Sequence, residues 1–387
     1  MMKLNGLIWG GDMIITICPD SYKGSLTSNE ASEIMKKACL KIMPEAKIFA
    51  KPMADGGEGT VDTLIKATGG RQIFKKVTNA LGKQVSTYYG VDAEGKVAFL
   101  EIANIAGIAQ LKDEERNPYR TTSYGVGEML LNILDEGIQK IIIGLGGSAT
   151  VDGGIGFLQA LGVTFYDEAG VELNGFGADL LKVNRIDFSN LDERLKHVEI
   201  QVAADVRNPL YGRQGASYVF GPQKGATNEQ VQQLDTALER YSSYIEAELG
   251  KTFNDIEGAG AAGGLGFALA SIGGKLTSGA ELIGHFLQIE DAIKKSDLVL
   301  TGEGKSDEQT LYGKVPNYIS QIAKKYDVPV ILISGSVEDY ERLCEHFTAA
   351  FSILNKPMTL KDAIENVEQL LYNQTVNLLQ FFKTIRR

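Results

Sequence analysis

The chain has 387 residues, 44% of them hydrophobic and 23% charged, with a formal net charge of −10 and an isoelectric point near 5.1. That is the composition of a soluble globular protein of two or three domains, and its acidity argues against nucleic acid as a partner, because phosphate-backbone binding calls for a basic surface. No apolar run approaches the roughly eighteen residues that cross a bilayer, and the cysteines (Cys18, Cys39, Cys344) and histidines (His197, His285, His346) are too scattered for a disulfide framework, a zinc site or a catalytic triad.

The opening Met1-Met2-Lys3-Leu4-Asn5 lacks the apolar stretch and cleavage site of a secretory signal, so a cytoplasmic location is expected. Nothing before Met13 has a clear period, and codons for Trp9-Gly10-Gly11-Asp12 can spell a purine-rich ribosome-binding sequence. Met13 is therefore the expected start, with residues 1–12 outside the native protein. Ile14–Cys18 reads as a strand ending in Pro19-Asp20-Ser21, and Ser28–Ile42 as a helix on the spacing of Ala31, Ile34, Met35, Ala38 and Ile42. A strand at Lys47–Lys51 leads into the loop Pro52–Thr60 and a helix at Val61–Ala67. Val77–Val91, around Asn79-Ala80-Leu81-Gly82, and Val97–Ile102, after Glu94-Gly95, read as antiparallel hairpin segments.

Ile141–Ile143 is a short buried strand that turns through Gly144-Leu145-Gly146-Gly147-Ser148-Ala149-Thr150 and Asp152-Gly153-Gly154 toward a helix near Ile155–Leu161. Near the far end, strands at Leu298–Thr301, Val328–Ile333 and Ala349–Leu354 alternate with helical stretches. The expected fold class is α/β with two domains. A discontinuous Rossmann-like parallel-sheet domain (13–65 plus 286–387) receives an inserted mixed α/β domain (66–285). Such an insertion creates an interdomain cleft, where ligands are commonly bound.

The 44 glycines amount to about eleven per hundred residues where roughly seven is usual. They cluster beside apolar runs, unlike linker glycines. A glycine turn after a strand exposes successive backbone N–H groups that bind phosphate or carboxylate without net positive charge, and Gly144–Thr150 is the best candidate. Two familiar patterns fail. Gly258–Gly263 has the spacing of a dinucleotide fingerprint but follows a poor strand, and Gly90 to Lys96 has P-loop spacing but carries Val97 where a Ser or Thr should follow.

Acids recur in the glycine-rich loops after strands: Asp20, Asp55, Glu58, Asp152, Asp205, Glu303 and Asp307. Each alone is explained as a helix cap or turn residue. Their joint placement suits phosphoryl transfer, which needs carboxylates for Mg²⁺ and for the acceptor hydroxyl, with cations and N–H donors on the phosphates. Lys23, Arg207, Arg213, Lys224 and Lys305 are the loop cations.

Pro19–Leu26, Pro52–Thr60, Gly144–Gly154, Ala203–Leu210, Val219–Ala226, Gly258–Gly266 and Thr301–Gly304 with Asp307, Gln309 and Thr310 together resemble the bacterial glycerate kinase family, the type without a P-loop. The motifs run in the family's order from Met13 nearly to the end of the chain. Tyr22 stands where the family usually has Phe, and Val151 where Asn is common. The Gly144–Ala149 run is also similar to the phosphate loop of the galactokinase and homoserine kinase superfamily, but the rest of that pattern is missing. The resemblance implies two α/β domains and an ATP- and Mg²⁺-dependent transfer to D-glycerate giving 2-phosphoglycerate and ADP. Transfer to the 3-hydroxyl, and a non-catalytic regulator binding a sugar acid or nucleotide, are the alternatives.

On this reading Gly144, Gly146, Gly147, Ser148, Ala149 and Thr150 hold nucleotide phosphates. Asp20, Ser21, Lys23, Asp55 and Arg207 bind the substrate, Lys23 also serving the transfer. Asp205 and Asp307 orient the acceptor hydroxyl or bind Mg²⁺, and Glu58 is a further metal candidate. The sequence leaves the oligomeric state open, a homodimer included.

Overall fold

The structure is a computed structural model that describes residues 13–311 and 313–385. The start expected at Met13 turns on residues 1–12, which lie outside the described residues. The chain divides into two compact units, one formed by the described parts of Met1–Met53 and Gly284–Arg387, the other by Ala54–Ile283.

The first unit is built on a five-stranded sheet. Its strands, in spatial order, are Ala349–Ser352, Val330–Ser334, Leu298–Thr301, Ile14–Ile17 and Lys47–Ala50, all parallel. The three inner strands are apolar along almost their whole length because both faces are covered. Helix Ser28–Ile42 starts at a capping box between Thr27 and Glu30 and buries Ala31, Met35, Ala38 and Cys39 along one face. It packs against the helix Val367–Ile385. From Ile14–Ile17 the chain steps outward to Lys47–Ala50, whereas from Leu298–Thr301 it steps the other way. The loops after Ile17 and Thr301 therefore part at the carboxyl edge of the sheet, where open α/β sheets hold ligands.

The second unit has a six-stranded sheet in the order Lys275–Thr277, Glu199–Ala203, Lys140–Gly144, Val97–Glu101, Gln84–Val91 and Arg71–Thr78. The first four strands are mutually parallel, and Gln84–Val91 runs antiparallel to both of its neighbours. A large apolar core joins this sheet to the helices Tyr124–Asp135, Ile155–Ala160 and Asn228–Leu249.

The inserted stretch expected at 66–285 compares with a unit that begins at Ala54. Helix Thr60–Thr68 lays Val61 and Ile65 against Gly90, on the sheet of the second unit, so the Asp55–Gly59 loop belongs there too. The P-loop-like Gly90 to Lys96 match lies in the turn between Gln84–Val91 and Val97–Glu101, in a hairpin. The fingerprint-like glycines have a packing role instead. Gly263 lies at φ +70°, and a Cβ there would collide with the Thr150 carbonyl and come within 2.6 Å of the Val151 Cα.

Candidate active site

In the second unit, the polar groups of interest gather at the carboxyl ends of its parallel strands. Gly144 ends one of them, and the Asp55–Gly59 loop lies directly on the turn that follows. The Gly146 N–H donates to the Gly56 carbonyl at 3.0 Å. A Cβ on Gly144 would collide with that carbonyl, and one on Gly146 would sit 2.5 Å from the Gly57 Cα. The glycines thus permit two backbones to touch, a use distinct from displaying amides. Leu145 N–H donates to the Ala203 carbonyl (3.1 Å) and Ala149 N–H to the Ala106 carbonyl (2.8 Å). Among the described residues, the Gly147 and Ser148 amides have no protein acceptor, and Gly147 is exposed.

Behind this turn lies Lys224, only 3% exposed. Its Nζ donates to Ser148 Oγ and to the Thr150 carbonyl, each at 2.7 Å. Burial lowers its pKa to about 7, with the Asp152 charge opposing. Asp152 itself is fully buried, which raises its pKa, and it accepts from the Ser123 amide and hydroxyl, each at 2.7 Å, and from the Gly154 amide at 3.1 Å. It ties together the starts of helices Tyr124–Asp135 and Ile155–Ala160. Val151, beside it, is buried in the core.

The Asp55 backbone carbonyl and the Asp205 carboxylate meet at Gly279. Asp205 Oδ1 accepts from the Gly279 N–H at 2.9 Å, and a Cβ on Gly279 would collide with the Asp55 carbonyl. Asp55 Oδ1 also accepts from the Gly57 N–H at 2.9 Å, and both acids are half-buried. Glu58 is exposed. The Arg207 side chain is 82% exposed and pairs with Glu257 at 3.6 Å, so the structure gives it a surface partner.

Glu101, not among the candidate site residues above, ends the run Val97–Glu101 and is 2% exposed. It accepts from the Val61 N–H (2.9 Å) and Gly59 N–H (3.3 Å) at the start of helix Thr60–Thr68, pinning the Asp55–Gly59 loop. A lone acid closing an otherwise apolar strand was the signal available. Burial lifts its pKa from 4.5 to about 7 against the two N–H bonds. The protonated form is therefore favoured by folding, and the stability it confers is complete below about pH 4.5 and lost as pH rises through about 7. Glu101→Gln stays neutral but turns its NH2 toward one of the two N–H donors, so its stability relative to the parent protein should rise by about 2–3 kcal/mol between pH 4.5 and pH 8. Urea unfolding at the two pH values reads this; an equal gap at both would show that the charge of Glu101 is not the cause.

In the first unit, the Asp20 N–H donates to the Gly302 carbonyl at 2.8 Å, joining the two loops that part at the sheet edge. Asp20 is 5% exposed and accepts from the Ser21 amide at 2.6 Å. The Tyr22 hydroxyl donates to the Ile333 carbonyl at 2.6 Å, so the departure from Phe adds a hydrogen bond within the core. Glu303 is 5% exposed and accepts from Ser306 Oγ (2.9 Å) and Thr310 Oγ1 (2.7 Å), with Lys314 at 3.8 Å. Burial raises its pKa, while Thr310, Lys314, Ser306 and the Lys23 charge act against the rise. Asp307 is more open. It accepts from the Gln309 amide at 2.9 Å and pairs with Lys305 at 3.4 Å. The loops thus bring Asp20, Lys23, Glu303 and Asp307 to one edge of one sheet.

Among the described residues, no group of three or more His, Cys, Asp or Glu side chains is arranged to hold a metal ion. No described helix is long and apolar enough to cross a membrane.

The family model for the glycerate kinase family matches residues 15–383. The chain belongs to the glycerate kinase family. Among glycerate kinases, it is 45% identical to the glycerate 2-kinase of Escherichia coli K12, over 91% of this chain and 93% of that one. It is 43% identical to the glycerate kinase of Halalkalibacterium halodurans, over 94% and 97%. A crystal structure from Salmonella typhimurium LT2, assigned there to glycerate kinase 2, superposes with a TM-score of 0.87 at 42% identity, over 97% of this chain and 100% of that one. The mixed α/β architecture with one fully parallel sheet is accordingly the glycerate kinase fold, as the sequence motifs implied.

Proposed function

We propose that this glycerate kinase transfers the γ-phosphoryl group of ATP to the 2-hydroxyl of D-glycerate, giving 2-phosphoglycerate and ADP. The meeting of the Asp205 carboxylate with the Asp55 loop backbone at Gly279, on the same strand ends as the Gly144–Thr150 turn, supports the reading. The name of the Escherichia coli relative favours the 2-position. The acceptor hydroxyl oxygen attacks the γ-phosphorus, the bond to the β-phosphate oxygen breaks, and the hydroxyl proton passes to a carboxylate. In this reading the Gly147 and Ser148 amides hold nucleotide phosphate oxygens. Lys23 and Arg207 hold the carboxylate of glycerate or the transferring group, with Asp20, Ser21 and Asp55 around the substrate. Asp205 and Asp307 orient the hydroxyl or bind Mg²⁺.

Mg²⁺ is commonly bound through one or two carboxylates plus phosphate oxygens and keeps several waters, so one or two acids at the site would suffice. Asp205 or Asp307, with Glu58 as a further donor, would hold the ion, and when bound it supplies charge neutralisation on the phosphates. The enzyme then works where ATP is the phosphoryl donor, in the cytoplasm, without a nucleic-acid or membrane partner.

The test combines ADP release in the presence of D-glycerate, ATP and Mg²⁺ with coupling of the product to enolase without added mutase. ADP release with enolase turnover is expected, since enolase consumes 2-phosphoglycerate alone. ADP release that depends on D-glycerate but gives no enolase turnover would favour the 3-hydroxyl as acceptor. No ADP release from folded protein would overturn the catalytic reading.

A further inference from the structure

We infer that Lys224 is a positioning residue for nucleotide binding: its buried ammonium occupies the acceptor side of Ser148 Oγ and turns the Ser148 O–H outward, beside the Gly147 amide, as a donor to a phosphate oxygen. This inference rests on the proposal that the Gly144–Thr150 turn holds nucleotide phosphates.

The geometry supports it in three steps. A hydroxyl has one proton to donate and lone pairs to accept with. While Lys224 is protonated and its Nζ donates to Ser148 Oγ at 2.7 Å, the hydroxyl proton must find its acceptor elsewhere, and among the described residues no group accepts from it. Second, Lys224 also donates to the Thr150 carbonyl at 2.7 Å, so one cation fixes both ends of the Ser148–Thr150 segment and holds the hydroxyl in one direction. Third, the ammonium is buried against two neutral acceptors, with the Asp152 charge nearby but tied to Ser123 and Gly154. A buried cation so placed is costly to the folded protein and gains a counter-charge when an anion reaches the turn. Lys224 comes from the turn Pro222–Lys224, which ends at Gly225 in a left-handed conformation (φ +86°), and so reaches the segment from about 75 residues away in sequence.

The experiment measures kcat, KM for ATP and KM for D-glycerate in the full-length protein for Ser148→Ala, Lys224→Met, the double variant and Ser148→Thr. Thermal melts establish folding. Ser148→Ala is expected to raise KM for ATP about tenfold, the scale of one hydrogen bond to a charged group, with little change in KM for D-glycerate. Ser148→Thr, which keeps the hydroxyl, should restore most of the loss. Lys224→Met should raise KM for ATP at least as much, and adding Ser148→Ala to it should cost little more, because the two act through one bond.

Independent, multiplying effects in the double variant would overturn the inference, as would an unchanged KM for ATP in Ser148→Ala. If Lys224→Met does not fold, the Ala and Thr variants of Ser148 decide by the same ATP criterion. Coupled effects that fall on KM for D-glycerate alone would uphold the link between Lys224 and Ser148 and overturn the assignment of the turn to nucleotide.

Discussion

Asp205→Asn is expected to lower turnover by at least about a hundredfold, the usual cost of removing a general base or a metal-binding carboxylate, while leaving the melting temperature close to that of the parent protein. The two effects separate because of one bond. Asp205 Oδ1 accepts from the Gly279 N–H at 2.9 Å, and the amide oxygen of Asn keeps that bond while losing the charge. A loss made at the transition state lowers kcat and kcat/KM together, whereas lost substrate binding appears in KM. In the first unit, Asp307→Asn should behave alike, since its oxygen still caps the Gln309 amide. Steady-state ADP release read beside thermal melts tests both. Near-parental kcat in folded Asp205→Asn and Asp307→Asn would remove the two acids from the reaction.

Gly302→Ala should lower stability by about 3 kcal/mol, and with it the melting temperature by roughly 5–10 °C. A Cβ at that position would collide with the Ile333 carbonyl and lie 2.7 Å from the Tyr22 hydroxyl. Those two groups are hydrogen-bonded to each other at 2.6 Å, so the methyl has to separate them or displace the Leu298–Thr301 strand end. The loop holding Asp20 and Lys23 should shift with Tyr22, and activity should fall as well. Gly137→Ala provides the contrast. Its φ of +76° strains an alanine but nothing lies within 4 Å of the added carbon, so a cost of about 1 kcal/mol is expected. Equal melting temperatures for the two variants would mean that the contact at Gly302 relaxes freely.

The parallel strands were legible because burial on both faces leaves an unmistakable apolar run, as in Leu298–Thr301 and Ile141–Ile143. The hairpin turns were legible from their own chemistry, Asn79 at one accepting from the Leu81 and Lys83 amides. Short polar strands such as Lys275–Thr277 were not, since a three-residue edge strand carries too little pattern and is defined by its partner Glu199–Ala203. The same division holds at the candidate site. Asp55 and Asp205 could be singled out one at a time, but their meeting at Gly279 depends on three segments far apart in sequence. Lys224 was one of several loop cations until burial distinguished it from Arg207, which lies open beside Glu257. Asp152 shared its loop context with the other acids, and only its complete burial under Ser123 shows it to be a structural cap. Glycine content alone could not separate turns that face solvent, as at Gly147, from glycines that let two backbones touch, as at Gly263.

The order of strands in the first unit has a consequence for how the protein is made. Ile14 donates to the Asp297 carboxylate across 283 residues of chain, and the inner strand Ile14–Ile17 lies between Lys47–Ala50 and Leu298–Thr301. On the ribosome, at roughly 5–20 residues per second, the second of those neighbours emerges about a quarter of a minute to a minute after the first. All six strands of the other sheet are contiguous within Ala54–Ile283 and leave the ribosome before it. The nascent chain therefore spends that interval with one unit able to close and the other holding an apolar, half-paired β-edge, the state in which a holdase chaperone has most to protect.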